Sequence, residues 1–219
     1  PSLPLPKHLE MIEILNMKIN QGHAICLANG IKYVIKNYQF DNLILMDADG
    51  EDRPEEIKLL VNKILLEKNV SVVAKRIKRS EGLFFQSLYQ LHKLTTIIFT
   101  GKNINFGNYS CLTKADVNIL SQKESLWSTF SGSLKKHILK LNSINSIRGI
   151  RYFGPSKMSL FKLVIHSFSI IATFKNTVFI RSAILIIISS FFIEIGLPII
   201  FFQIFLVLFN LMIYLVSLR

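Results

Sequence analysis

Two long apolar runs close the chain, and they restrict its fold more than anything that precedes them. Ile199 to Leu218 is 20 residues with only Gln203 and Asn210 strongly polar. At 1.5 Å per residue this run reaches about 30 Å, the thickness of the hydrocarbon core of a bilayer. The run before it, Val178 to Ile193, carries Arg181 near its start and breaks at Glu194-Ile-Gly-Leu-Pro198. Counted from Thr177 to Gly196, it reaches the same length. One reading is a two-helix transmembrane hairpin over 177–219, with spans at about 178–196 and 198–218. The alternative is one buried core helix and one span.

Charge follows a different distribution from hydropathy. Asn176 to Arg219 holds three charged residues, Arg181, Glu194 and Arg219, while the part before it holds 24 basic and 13 acidic residues, net +11. Half of the 219 residues are hydrophobic and the mean hydropathy is +0.40. This composition excludes a disordered chain and an ordinary soluble domain. A basic domain joined to an apolar tail suits an anionic membrane surface, so the excess charge is assigned to lipid headgroups and phosphates and not to nucleic acid. Lys175, Arg181 and Arg219 flank one side of the hairpin and Glu194 the other. The positive-inside bias then expects a multi-pass protein of the inner cell membrane with its basic domain in the cytoplasm. Cys26 and Cys111 form no metal-ligand spacing and are expected to be small buried side chains of a reduced protein.

The region before the hairpin alternates strand and helix patterns. Met11–Leu15 is a short apolar run and a candidate strand. Gly22–Tyr38 spaces Ala24, Ile25, Leu27, Ala28, Ile31, Val34 and Ile35 as a helix does. Asn42–Met46 reads as a buried parallel strand that delivers a loop at Asp47. Pro54, Glu55 and Glu56 open a helix running to about Lys68, and Val70–Ala74 is the next strand. This order implies an α/β sheet. Glu81–Thr100 reads as a long helix with Leu83, Phe84, Leu88, Leu91 and Ile97 or Ile98 inward. Lys102–Leu112 reads as a loop and short strand. Helical stretches follow near Lys114–Ser121 and Leu126–Leu141. Asn142–Lys157 reads as irregular. The region 158–176, Met158 to Phe174 above all, is amphipathic and suited to the membrane interface.

Three groups of side chains carry candidate chemistry. Asp47 and Asp49 stand two residues apart after a buried strand, so both can project to one side and share a hard cation such as Mg2+ or Mn2+. Strand ends are where open α/β sheets bind ligands. An EF-hand is excluded, because the sixth and twelfth positions from Asp47 are Asp52 and Lys58. The alternative is a solvated acidic turn that caps the following helix. Arg148, Arg151 and Lys157 lie in a glycine-rich loop, where guanidinium forks and an ammonium suit phosphate oxygens. A juxtamembrane patch for anionic lipid is the other reading. Lys75, Arg76, Lys78 and Arg79 follow the third strand; one of them, Arg76 for preference, neutralises a diphosphate unless the run is merely solvated.

The stretch Met46-Asp-Ala-Asp-Gly-Glu-Asp-Arg-Pro-Glu55 resembles the metal-binding segment of family 2 glycosyltransferases, in the branch of dolichol-phosphate mannose synthase and bacterial polyprenyl-phosphate glycosyltransferases. Gly22-His23 is similar to that family's glycine-led helix start. Gly101-Lys-Asn-Ile-Asn-Phe-Gly-Asn-Tyr109 is similar to its acceptor-side loop, and Arg151-Tyr-Phe-Gly-Pro-Ser-Lys157 to its Arg-x-x-Gly-x-Ser-Lys loop. The C-terminal hairpin matches as well. The resemblance implies a Rossmann-like GT-A nucleotide-sugar domain over 1–157. It implies that Asp47 contacts the donor or metal, that Asp49 ligates Mg2+ or Mn2+, and that Arg151, Ser156 and Lys157 hold phosphate with Arg148 assisting. Asp49 and Arg151 are thereby the expected catalytic residues, and Asp47 and Arg76 the expected donor-binding ones.

Two departures qualify that expectation. The family opens on strands carrying a Val-Pro-x-Tyr-Asn-Glu type motif and an Asp-Asp-x-Ser motif, and neither precedes Ile12. With Pro1 in place of an initiator Met, the expectation is an N-terminally incomplete domain lacking its first strands. Asn105 and Asn108 also stand where relatives often carry an acid, and Asn is no base. A polyprenyl phosphate, with a second pKa of about 6, needs none; a sugar hydroxyl acceptor would need Asp52 or Glu51. The expected activity is transfer of a sugar from a nucleotide diphosphosugar to a polyprenyl phosphate or other membrane-associated acceptor. The alternative is a non-catalytic, transferase-like membrane protein. A homo-oligomer is left open.

Overall fold

The computed structural model describes residues 8–67, 70–78, 83–154 and 159–218, with the side chains of 78 and 83–86 outside that description. Four strands form one mixed sheet, in the order β1-β3-β2-β4: β1 (Asn42–Leu45), β2 (Val72–Lys78), β3 (Phe106–Thr113) and β4 (Asn142–Ile147). β3 is antiparallel to both β1 and β2, and β4 is parallel to β2. The expected α/β class is found, but the expected parallel setting of Asn42–Met46 is not: β1 pairs antiparallel with β3. The reason is the loop after α3 (Leu83–Thr100), which returns the chain to place β3 at the centre of the sheet.

Period-two alternation along β3 supplies both cores. Phe106 and Leu112 face one side, with Ala28 and Ile31 of α1 (His23–Asn37), Val117 and Leu120 of α4 (Lys114–Ser121) and Leu134 of α5 (Phe130–His137). Tyr109 and Cys111 face the other side, with Leu60 and Ile64 of α2 (Ile57–Leu66). The sheet is therefore covered on both faces, as an α/β architecture requires. Thr113 ends β3 and starts α4 at once, because its side chain accepts from the Asp116 N–H at 3.2 Å. This mixed α/β arrangement is consistent with a partial GT-A domain.

Several sequence expectations are corrected. Met11–Leu15 is not a strand: its apolar side chains are exposed, and among the described residues no strand lies beside it to take its backbone groups. Asn142–Ile147 is a strand, not irregular. Its Asn and Ser residues have low strand propensity, and it is held by backbone pairing along the sheet edge. Leu126–Leu141 is broken into a short 3-10 turn, Glu124–Trp127, and α5. Cys111 is buried, which pushes its thiol up to about 11, but Cys26 is exposed. In α3, Leu91, Ile97 and Ile98 point outward with Leu94, while Thr96, Phe99 and Thr100 are buried. The reason is that α3 packs against the C-terminal helices and not against the sheet; the Phe99 ring packs tilted on Phe209 with centroids 4.5 Å apart.

Those C-terminal helices are α6 (Leu160–Ala172), α7 (Lys175–Ser190) and α8 (Leu197–Ser217). Among the described residues, α8 alone is long and apolar enough to cross a membrane; α6 and α7 meet that test only together, bent by 86°. α7 stops at Ser190 rather than near 196, and Phe191–Gly196 is turn and 3-10 structure ending in Gly196 at φ 83°. The α7–α8 hairpin is joined at both ends: Gln203 donates to Ser189 and Ser190 at 3.1 Å, and Lys175 to Ser217 at 3.4 Å.

Candidate active site

The acidic loop 47–52 leaves the C-terminal end of β1 and turns at Gly50, whose φ of 92° suits glycine alone. Asp49 closes the turn by accepting from the Glu51 N–H at 3.0 Å. Asp52 points back inside: it is 3% exposed and accepts from the Asp47 N–H at 3.0 Å. Burial pushes its carboxyl above the ordinary range, an effect opposed by that N–H and by Arg76, whose guanidinium lies 3.6 Å away. The loop then passes into Pro54–Glu56 and α2. Tyr109 fastens this point by donating to the Arg53 carbonyl at 2.7 Å, and burial holds its phenol up at about 12.

A second loop, 148–154, leaves β4 and lies across the first. The Gly149 N–H donates to the Glu51 carbonyl and the Tyr152 N–H to the Asp49 carbonyl, both at 2.8 Å. Two glycines permit this approach. A Cβ on Gly149 would stand 2.3 Å from the Gly50 carbonyl oxygen, and one on Gly50 2.8 Å from the Tyr152 ring. Docked in this way, Arg151 reaches Asp49 at 2.9 Å and Glu51 at 3.1 Å, and Arg148 also pairs with Glu51. Both guanidinium groups are half-buried, where a charge-assisted contact is stronger than at an open surface.

Of the residues expected from sequence, Asp47, Asp49, Arg76, Arg148 and Arg151 come together at one end of the sheet. Arg76 reaches the site through Asp52, and its guanidinium passes over Gly107, where a Cβ would stand only 3.1 Å away. Ser156, Lys157 and Arg79 lie outside the described residues. Three contacts were not anticipated. Asn108 donates to Asp47 at 3.3 Å, and the same amide nitrogen lies 2.6 Å from Nε2 of His23, itself 3.8 Å from Asp47. Gly22-His23 begins α1 and Asn108 lies within β3; β1–β3 pairing brings Asn108 to Asp47, and the packing of α1 on α4 and α5 brings His23.

The donor set suits a hard divalent cation. Asp47 and Asp49 offer carboxylate oxygens and remain partly open to solvent. Among the described residues no three-ligand cage of His, Cys, Asp or Glu is formed. A Mg2+ held by Asp47 and Asp49 would take its remaining ligands from substrate phosphates and water. Glu51 is held by two arginines and Asp52 is buried on Arg76, so both carboxylates weighed as bases are already engaged.

Comparison with known proteins gives one family. The model for glycosyl transferase family 2 matches residues 5–130, from ahead of α1 to the start of α5 and across the whole acidic loop. No curated protein matches the chain. Because the match takes in more than half of the 219 residues, the chain belongs to glycosyl transferase family 2, whose members transfer sugars from nucleotide sugars.

Proposed function

We propose that the complete protein is a membrane-anchored glycosyltransferase that moves a sugar from a nucleotide diphosphosugar to a polyprenyl phosphate or a similar lipid-borne phosphate. The observation that carries this reading is the docking of Arg148 and Arg151 onto the loop of Asp47 and Asp49. It sets guanidinium groups suited to phosphate beside carboxylates suited to a divalent metal. The engagement of Glu51 and Asp52 favours an acceptor that needs no base. A phosphate monoester, with a second pKa of about 6, is already largely a dianion at neutral pH.

In this reading Asp47 and Asp49 hold Mg2+ or Mn2+, which when bound supplies positive charge to the leaving diphosphate. Asn108 and His23 set the orientation of Asp47. Arg151 is placed to leave Asp49 for phosphate oxygens, with Arg148 beside it; Ser156 and Lys157 complete that group. Arg76 fixes Asp52 beneath the loop and lends positive potential to the donor side. The α7–α8 hairpin supplies the anchor, with the catalytic domain on the cytoplasmic side.

The test is transfer of labelled sugar into the lipid phase by the complete protein in its own membrane, with and without divalent metal. Transfer that needs metal, and that falls at least about a hundredfold in Asp49→Ala and in Arg151→Ala, supports the reading; oxyanion-type contacts have this magnitude. Unchanged transfer in Asp49→Ala would remove its assigned role. Label appearing only on water-soluble products would remove the lipid acceptor.

A further inference from the structure

The loop that clamps the acidic site carries two large apolar side chains that no described residue covers. Ile150 is 90% and Phe153 89% exposed, on either side of Arg151. Isolated exposed apolar residues are ordinary, but this loop is not free to fold them away. Its backbone is tied to Glu51 and Asp49, the Ile150 carbonyl packs on Gly50, and Tyr152 lies against the same glycine. The ties that turn Arg148 and Arg151 inward therefore hold Ile150 and Phe153 outward.

What surrounds the loop identifies the occupant. α6 starts seven residues after Phe153 and leaves Leu160, Phe161 and Val164 exposed, with Lys162 among them. Its C-terminal end is tied to the α/β region through α5, whose Lys136 donates to the Thr173 carbonyl at 2.6 Å. α6 turns by 86° into α7, which packs along the 21-residue apolar α8. With α8 along the bilayer normal, α6 lies close to the membrane plane, at the level where an apolar helix face meets headgroups. The excess of basic residues complements an anionic surface.

We infer that the 148–154 loop is a second membrane contact, in which Ile150 and Phe153 insert into the lipid interface and hold Arg148 and Arg151 at the depth of lipid phosphate groups. The inference rests on the membrane-anchored reading above and adds to it a specific inserted element outside the helices. Burying one such side chain favours the inserted state by about tenfold or more.

The 219 residues carry one tryptophan, Trp127, so a Trp127→Phe background of this chain accepts single probes. Ile150→Trp, Phe153→Trp, Phe205→Trp in α8, and Leu66→Trp at the far end of α2 would each be reconstituted in phosphatidylglycerol/phosphatidylcholine vesicles with brominated acyl chains. The inference expects quenching and a blue shift at 150, 153 and 205, with neither at 66. Quenching at 205 without quenching at 150 and 153 overturns the loop contact and leaves the anchor standing. No quenching at 205 overturns the anchor and the inference together. Equal quenching at 66 overturns the inference as well, because contact would then not be specific to this loop.

Discussion

Gly149→Ala is the sharpest perturbation of the site, because the added methyl meets backbone. Gly149 does not have a positive φ, so the change brings no conformational penalty of the left-handed kind. Its Cβ would stand 2.3 Å from the Gly50 carbonyl oxygen and 3.1 Å from Cγ of Arg53. The side chain of Arg53 can move, but Gly50 is held by its own turn. Relief requires the two loops to separate, which lengthens the 2.8 Å bonds from Gly149 to Glu51 and from Tyr152 to Asp49. Each such bond contributes about 0.5–1.5 kcal/mol net. Losing both costs about 1–3 kcal/mol, which is roughly 5- to 150-fold in the docked population. Hydrogen exchange reads this directly: the Gly149 and Tyr152 amides should lose protection by that factor, while amides of α1 and β3 keep theirs. Sugar transfer should fall by a similar factor, because Arg151 loses its placement over Asp49. Wild-type protection at both amides in Gly149→Ala would refute the docking that the site description depends on.

Asp52 gives a pH signature with a defined sign. Its folded-state pKa is raised above the ordinary aspartate value, chiefly by burial, so its contribution to stability is fully present below the unfolded pKa and is lost as pH rises through the folded one. The melting temperature of Asp52→Asn relative to wild type, measured in detergent from about pH 4 to pH 7, should therefore rise with pH; a fall would contradict the assignment. Arg181 donates to the Ile98 carbonyl at 2.8 Å and so caps the C-terminal end of α3 from α7. Because the side chain is exposed, Arg181→Ala should cost only about 1 kcal/mol, seen as faster exchange in the last turn of α3. The two thiols should separate under native labelling, with exposed Cys26 reacting with maleimide and buried Cys111 reacting only after unfolding.

Much of the site was legible in linear order. A short aliphatic run ending at Asp47 identifies a strand and its loop, and Pro54 with two glutamates identifies the helix start. Arg148 and Arg151 stand out because they are spaced by glycines. β4 was not legible: its Asn and Ser residues carry no alternation, and it exists only because β2 offers an edge. The outward face of α3 has a related cause, since an apolar helix with Lys93 as its one charged residue reads the same whether its partner is a sheet or another helix. Met11–Leu15 has a strand's composition, yet a strand is a property of a pair, and among the described residues it has no partner.

The sequence by itself determined the division between a basic α/β region and an apolar tail, because apolar content and charge act locally and additively. It also determined which residue types could bind metal or phosphate. Only the tertiary structure decided which of them meet. Arg151 reaches Asp49 across about a hundred residues because β2 pairs β4 in parallel and delivers the 148–154 loop to the end of the sheet where β1 delivers its own. Asn108 joins Asp47 through the antiparallel β1–β3 register, and His23 through the packing of α1 against α4 and α5. Long-range contacts of this kind depend on strand order and on two glycines that let backbones touch, and neither can be read from any single stretch of the chain.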